Sequence, residues 1–322
     1  MRFRNYIFLI DPWDDVQDQD CGWGNRLKCW EAASIIASAP GIKHSIKVLP
    51  KDYPELTQVK LPNTDYIDSS ELDTIPITNE DVQRWVLNQN INLNSNLNYS
   101  IEFDFTHTAI IIENFHNSNY NKLTGVKLIN SELNLALDKF AKHTIGIHIR
   151  RGRGVHIDSQ DLKTIPKEYV KYYELCPTCD QIYDFYSDSG YFNFIEECIK
   201  VDYEVKFYIG IDVDEKALDY YKIKYPNRIF TRSDLIHKFK PILDETKFLE
   251  PRLQLKNMGS ILLDFFTLSK CSRIVVSPYS SWSWMACRIA DKHGTEINNL
   301  NHNHELFAKP KEADRTLNNK LI

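Results

Sequence analysis

Apolar positions along the chain alternate between short runs with a two-residue period and longer stretches with helical spacing. Tyr6-Ile-Phe-Leu-Ile10 reads as a buried strand over residues 5–10, and Leu27 to Ala39 as an Ala-rich helix stopped by Pro40-Gly41. Residues 46–49 read as a second strand, and helices are predicted over 80–87 and 131–142. Between about 51 and 128 the pattern weakens: Pro54, Pro62 and Pro76 punctuate it, and residues 88–98 are rich in Asn. Order returns with the strand 144–150, in which Ile145, Ile147 and Ile149 alternate with small or polar residues. A loop to about 164 and a helical turn from Pro166 come next. Then the spacing predicts helix 191–201, strand 205–211, helix 214–225, strand 228–231, helix 257–270, strand 273–277 and helix 281–291. Strand–helix alternation of this kind predicts an α/β protein built on parallel sheets. The natural divide lies near 128–143, giving a first domain over 1–140, a second over 141–300 and a polar tail over 301–322.

Composition adds little. Hydrophobic residues make up 43% and charged residues 26% of 322, as in an ordinary soluble globular chain with aromatics to fill its core. The run at 6–10 is too short for a signal-peptide core and meets Asp11, Asp14 and Asp15 at once, and no apolar run approaches spanning length. A cytoplasmic protein without a membrane span is the expectation. Seven cysteines include one CxxC, Cys176-Pro-Thr-Cys179, with no second half-site, so a loop with two reduced thiols is favoured over zinc. Cys271 and Cys287 lie in apolar periodic segments and read as small core residues.

Charge changes the picture at one place. The formal net charge is -5, yet Arg150, Arg151 and Arg153 crowd the end of the strand 144–150 beside Gly152. Guanidinium groups at a strand end of an α/β sheet suit a phosphate or diphosphate held in bidentate fashion. A local basic spot on an acidic chain argues for a small anionic ligand and against a nucleic-acid track.

Four further motifs carry chemistry. Gly22-Trp23-Gly24-Asn25, between the first strand and the first helix, is either a tight turn or a loop that lets a phosphate approach a helix start. Asp212 and Asp214 end the strand 205–211: Asp214 is placed as a helix cap, and Asp212 is the better ligand contact. Asp264 falls at the edge of the apolar stripe of helix 257–270, either on the rim or buried with a partner, such as the paired N–H donors of a guanine edge. In Ser277-Pro-Tyr-Ser280-Ser281-Trp-Ser283, Ser281 can cap the following helix or donate to a phosphate.

Taken in order, these motifs resemble the GDP-fucose-dependent fucosyltransferases of the GT-B fold, most closely the α-1,6 branch that includes the core N-glycan and rhizobial nodulation enzymes. The signature is Gly-Asn after strand one, His-x-Arg-Arg after a mid-chain strand, an acid after a later strand, and Leu-Asp-x-x-x-Leu-Ser before a strand and a Ser-Ser turn. It covers 144–291 well and, before residue 140, rests mainly on 20–27; Pro166-Lys-Glu-Tyr169 is similar too. The resemblance implies two Rossmann-like domains with a cleft between them, the first on the acceptor side and the second binding the GDP-sugar. It implies that Arg150 binds the β-phosphate with Arg151 in support, that His148 and Asp264 contact guanine, and that Asp212 lies near the nucleotide. Ser280 and Ser281 would face the diphosphate, and the loop with Gly22, Gly24 and Asn25 would close over it.

The implied reaction is inverting, metal-independent transfer of fucose to a sugar hydroxyl, with no cofactor and with an oligosaccharide or glycoconjugate as acceptor. The chain departs from the family pattern at Arg153, where an Asp is usual. Asp158 is the first choice for the base that takes the acceptor proton, His156 the second and Asp20 the third. Three other readings remain open: an α-1,2-, protein O- or other GDP-sugar transferase; a metal-dependent transferase using Asp212 and Asp214; and an inactive GDP-sugar- or glycan-binding protein.

Overall fold

The computed structural model describes residues 5–9, 23–68, 73–115, 122–150, 188–211, 215–243, 258–277, 280–290 and 294–295. The chain divides into two compact units, Met1–Ile129 and Asn130–Ile322.

The first unit is built on a parallel sheet of β1 (Tyr6–Leu9), β2 (Ser45–Val48), β4 (Thr64–Tyr66), β5 (Ile75–Ile77) and β6 (Tyr99–Ile101), in the order β4-β2-β1-β6-β5. From β1 the chain steps outward through β2 to β4, then crosses to β5 and β6 on the other side. Helices α1 (Trp23–Ala37), α2 (Asn79–Asn88) and α3 (Phe105–Phe115) accompany it. A short antiparallel pair, β3 (Val59–Lys60) with β7 (Lys127–Leu128), closes the unit.

Helix α1 begins four residues before the predicted Leu27 because Trp23, Gly24 and Arg26 are all buried, so packing draws the glycine turn into the helix. Its fifteen residues are buried almost all round, which explains why they show no amphipathic stripe. In the stretch where the pattern weakens, the strands are only two or three residues long, and Pro76 is the middle residue of β5. Helix α2 is where the spacing predicts it, with Thr78 and Asp81 forming a capping box at its start.

The second unit repeats the plan with β8 (Thr144–Ile149), β9 (Lys206–Ile211), β10 (Ile229–Phe230), β11 (Arg273–Val275) and β12 (Gly294–Thr295), again wholly parallel and ordered β10-β9-β8-β11-β12. Its helices are α4 (Ser131–Ala141), α5 (Asp188–Val201), α6 (Asp219–Lys224), α7 (Arg232–Phe239), α8 (Met258–Lys270) and α9 (Ser281–Ile289). Helix α4 packs on α8 and β8, so residues 130–140 go with this unit. The α/β architecture with parallel sheets is therefore present in both units. Among the described residues no helix is long and apolar enough to cross a membrane.

The alternation in β8 gives the sheet two distinct faces. Ile145, Ile147 and Ile149 pair in register with Phe207, Ile209 and Ile211 of β9 and share one apolar cluster with Tyr191 and Ile195 of α5. The other face carries Gly146, His148, Tyr208 and Gly210 and receives α8. A Cβ on Gly146 would meet the Leu268 Cδ2 at 2.8 Å and the Cys271 Cβ and Sγ at 3.1 Å. The Gly146→Ala variant should therefore lose about 1–3 kcal/mol of stability by overpacking, read as a lower urea midpoint. A midpoint equal to that of the unaltered protein would mean that α8 does not press on this strand.

In this second unit two elements go beyond the predicted ones. Helix α7 follows β10 at once, and Thr231 and Asp234 form its capping box. Strand β12 is a two-residue edge, where Gly294 leaves room for Val276, Cys287 and Trp284. The helix predicted over 214–225 is a 3-10 turn, Glu215–Leu218, followed by α6. Cys271 and Cys287 are buried, as small core residues should be.

Candidate active site

In the second sheet the chain leaves β8 outward to β9 and β10 on one side and reaches β11 and β12 on the other. The strand order thus reverses between β8 and β11, and a crevice outside the carboxyl ends of the strands is expected at such a point. The carboxyl end of β8 carries His148, Ile149 and Arg150; beyond β11 come Ser277, Ser280 and α9.

One serine ties these two strand ends together. The Ser277 hydroxyl donates to the His148 carbonyl at 2.7 Å and accepts from the Arg150 backbone N–H at 3.0 Å. The Tyr191 hydroxyl of α5 also donates to the His148 carbonyl, at 3.3 Å. The backbone that carries the arginine is therefore fixed from both neighbouring elements, while the Arg150 side chain is half-buried at the edge.

His148 points to the α8 face and is buried. Its ring lies against Trp282 of α9 at 4.7 Å between centroids, tilted by 38°. Burial, aided by the Arg150 charge, pushes its pKa down to about 3, so the imidazole is neutral at ordinary pH. Its Nδ1 is buried and has no hydrogen-bond partner among the described residues. A neutral ring with an open nitrogen beside an indole suits a planar, hydrogen-bonding ligand.

Asp264 arrives at the same place from α8. Of the two places the wheel leaves open for it, rim or buried with a partner, the structure has the second: residues 262–269 are buried on every side, and Asp264 is buried with partners. Tyr208 donates its hydroxyl to Asp264 Oδ1, and Arg232 Nη1 donates to Oδ2 at 3.1 Å. Arg232 also sets its Nε 2.9 Å from Glu215 Oε1, and Glu215 Oε2 accepts from the Ser233 backbone N–H at 3.1 Å. Burial raises the Asp264 carboxyl to about 7 against the pull of Arg232 and the Tyr208 hydroxyl, with Glu215 adding to the rise. Because the folded carboxyl holds its proton to higher pH than a free one, its contribution to stability is full at low pH and declines as pH rises through about 7.

Glycine at position 210 brings the two groups together. Gly210 pairs with His148 across β8 and β9. A Cβ there would lie 3.8 Å from the Trp282 ring and 4.0 Å from the Asp264 carboxyl carbon. His148, Trp282 and Asp264 thus surround one point on the sheet face, with Tyr208 and Arg232 behind Asp264.

Of the residues singled out from the sequence, His148, Arg150, Asp264, Ser280 and Ser281 are described and lie at or next to the carboxyl edge of this sheet. Ser280, not Ser281, occupies the cap position of α9; it is buried, and Ser281 is the first helical residue, half-exposed. Gly24 and Asn25 lie within the first turn of α1 in the other unit. Asp20, Gly22, Arg151, Arg153, His156, Asp158, Cys176, Cys179, Asp212 and Asp214 lie outside the described residues. Tyr208, Arg232, Glu215 and Trp282 were not singled out. A usable signal existed for Tyr208, which shares its strand face with Gly210, and for Arg232, which sits inside the Thr231-x-x-Asp234 cap motif.

No family model matches the chain, and no curated protein matches it in sequence. Solved structures similar to it include the fucosyltransferase NodZ from Bradyrhizobium, at 13% identity and a TM-score of 0.48, covering 93% of this chain and 97% of that one. POFUT1 in complex with GDP is 12% identical with a TM-score of 0.45, covering 92% and 99%. A variant of FUT1 from Arabidopsis thaliana in complex with GDP is 10% identical with a TM-score of 0.44, covering 96% and 73%.

Proposed function

We propose that the chain is an inverting, metal-independent GT-B glycosyltransferase that moves fucose from GDP-fucose to a sugar hydroxyl, with α-1,6-like character. The observation that carries this reading is the junction of β8 and β11. There Arg150 is held by Ser277 at the switch point, with His148 and Asp264 set around one spot on the sheet face. These are the positions at which the ordered motifs of the sequence call for a diphosphate and a guanine.

In the reaction the acceptor oxygen attacks the anomeric carbon as the bond to the β-phosphate oxygen breaks. The bonding pair leaves with GDP, and the acceptor proton passes to a base. Positive charge grows on the sugar, as in glycosidic cleavage, and negative charge on the diphosphate. The Arg150 guanidinium opposes that negative charge at the β-phosphate. His148, neutral and open at Nδ1, meets the base, and the Asp264 carboxylate accepts from its N–H edge. Ser280 and Ser281 sit at the start of α9, where backbone N–H groups add to phosphate binding. Asp158, His156 and Asp20 are the candidates for the proton acceptor.

The deciding experiment is GDP release measured with several GDP-sugars against GlcNAc- and galactose-terminated acceptors. GDP-fucose should support turnover with at least one acceptor, and EDTA should leave the rate unchanged. Turnover that vanishes on chelation and returns with Mn²⁺ would move the assignment to a metal-dependent transferase. Tight GDP binding with no turnover on any acceptor would make the chain a binding protein.

A further inference from the structure

Arg232 is part of no sequence motif that points to a ligand, yet it joins two carboxylates behind the site. It stands at the start of α7, with Nη1 on Asp264 Oδ2 at 3.1 Å and Nε on Glu215 Oε1 at 2.9 Å. Glu215 is itself fixed by the Ser233 backbone N–H. The far oxygen of Asp264 takes the Tyr208 hydroxyl. A buried carboxylate gripped at both oxygens is fixed in orientation, and the directions of its remaining lone pairs are fixed with it.

We propose that Arg232 is a positioning residue that aims the Asp264 carboxylate and favours its charged form, and thereby sets the preference of the site for a base presenting paired N–H donors. The inference rests on the proposed binding of a guanine nucleotide at His148 and Asp264.

The titrating surroundings of Asp264 can be named element by element. Strand β9 brings Tyr208, β8 brings His148, α7 brings Arg232, and the turn after β9 brings Glu215. Helix α4 contributes Asp138, which pairs with Lys270 in the last turn of α8, and the charged residue of α9 is Arg288 in its own last turn. His148 is neutral at working pH, and Glu215 raises the Asp264 carboxyl instead of lowering it. Among the charges acting on Asp264, Arg232 is the one that opposes burial.

Loss of the arginine charge moves Asp264 ionisation to higher pH. Each unit of such a shift reduces the charged fraction about tenfold on the acid side. The test is calorimetric binding of GDP and of IDP, which lacks the exocyclic amine, to the full chain between pH 6 and 9.

The unaltered protein should bind GDP more tightly than IDP, with affinity levelling off above neutral pH. Arg232→Gln should bind GDP roughly tenfold more weakly at pH 6.5, with a shrunken preference over IDP, and should recover toward pH 9. Arg232→Lys, which keeps the charge, should restore much of the low-pH affinity. An equal loss for GDP and IDP at every pH would overturn the proposal, because a purely structural role predicts that outcome. GDP affinity in Arg232→Gln equal to that of the unaltered protein would overturn it too. Failure of the unaltered protein to bind GDP would strike the nucleotide reading itself.

Discussion

Arg150→Ala should abolish nearly all fucosyl transfer while leaving the fold intact. The backbone of this residue is anchored by its own N–H to Ser277, which the substitution keeps, and the side chain is half-buried at the sheet edge with no place in the apolar cluster below. What the substitution removes is the guanidinium and its short aliphatic stem. A preorganised donor aimed at developing negative charge contributes roughly 10²–10³ in rate, about 3–4 kcal/mol, and a charged fork facing a diphosphate should reach the upper end. Arg150→Lys keeps a point charge without the fork and should recover part of that loss. The comparison is kcat/KM for GDP-fucose in the three proteins, with thermal unfolding as a control. A folded Arg150→Ala protein that transfers at the normal rate would remove the arginine from the reaction and the diphosphate from this crevice.

What the sequence discloses here follows from contact range. Strand β8 is legible because its two faces differ in the simplest way: isoleucines face α5, and Gly146 and His148 face α8. Helix α1 is legible as a helix, yet its start is not, because Trp23 and Arg26 are held by burial and not by any local signal. The wheel places Asp264 on a stripe edge, a fair inference for a surface helix. Residues 262–269 of α8 are buried on every side, so the acid is buried and answered from α7 and β9, elements far away in sequence. His148 and Arg150 could be picked out as a motif, but their connection to Ser277 could not, since 127 residues separate Arg150 from Ser277. Periodicity reports which face of an element is apolar; it carries no information on which distant polar group meets it.

Glu55→Ala should be the most destabilising of the substitutions considered. Glu55 lies in the 3-10 turn Pro54–Thr57, within the stretch where the hydrophobic pattern is weakest, and forms a salt bridge with Arg26 of α1. The two side chains are 0% and 2% exposed. Around them the Tyr53 hydroxyl donates to the Arg26 carbonyl at 3.3 Å, and the Tyr66 hydroxyl donates to the Tyr53 carbonyl at 2.9 Å. Guanidinium does not shed its proton in a protein, so removing the carboxylate takes a paired counter-charge away from a buried cation, at a cost of about 3–5 kcal/mol. Replacing both partners, Arg26→Met with Glu55→Leu, removes the two buried charges together and should return most of that stability. Urea unfolding of the three proteins measures the difference.

Tyr66 gives an independent readout of the same pair. Burial, with the Glu55 charge in second place, pushes its phenol up to about 12. In a Glu55→Ala protein that remains folded, the ultraviolet titration of Tyr66 should therefore move down toward the ordinary tyrosine value. A Glu55→Ala variant within about 1 kcal/mol of the unaltered protein would show that Arg26 keeps its charge comfortably without this carboxylate.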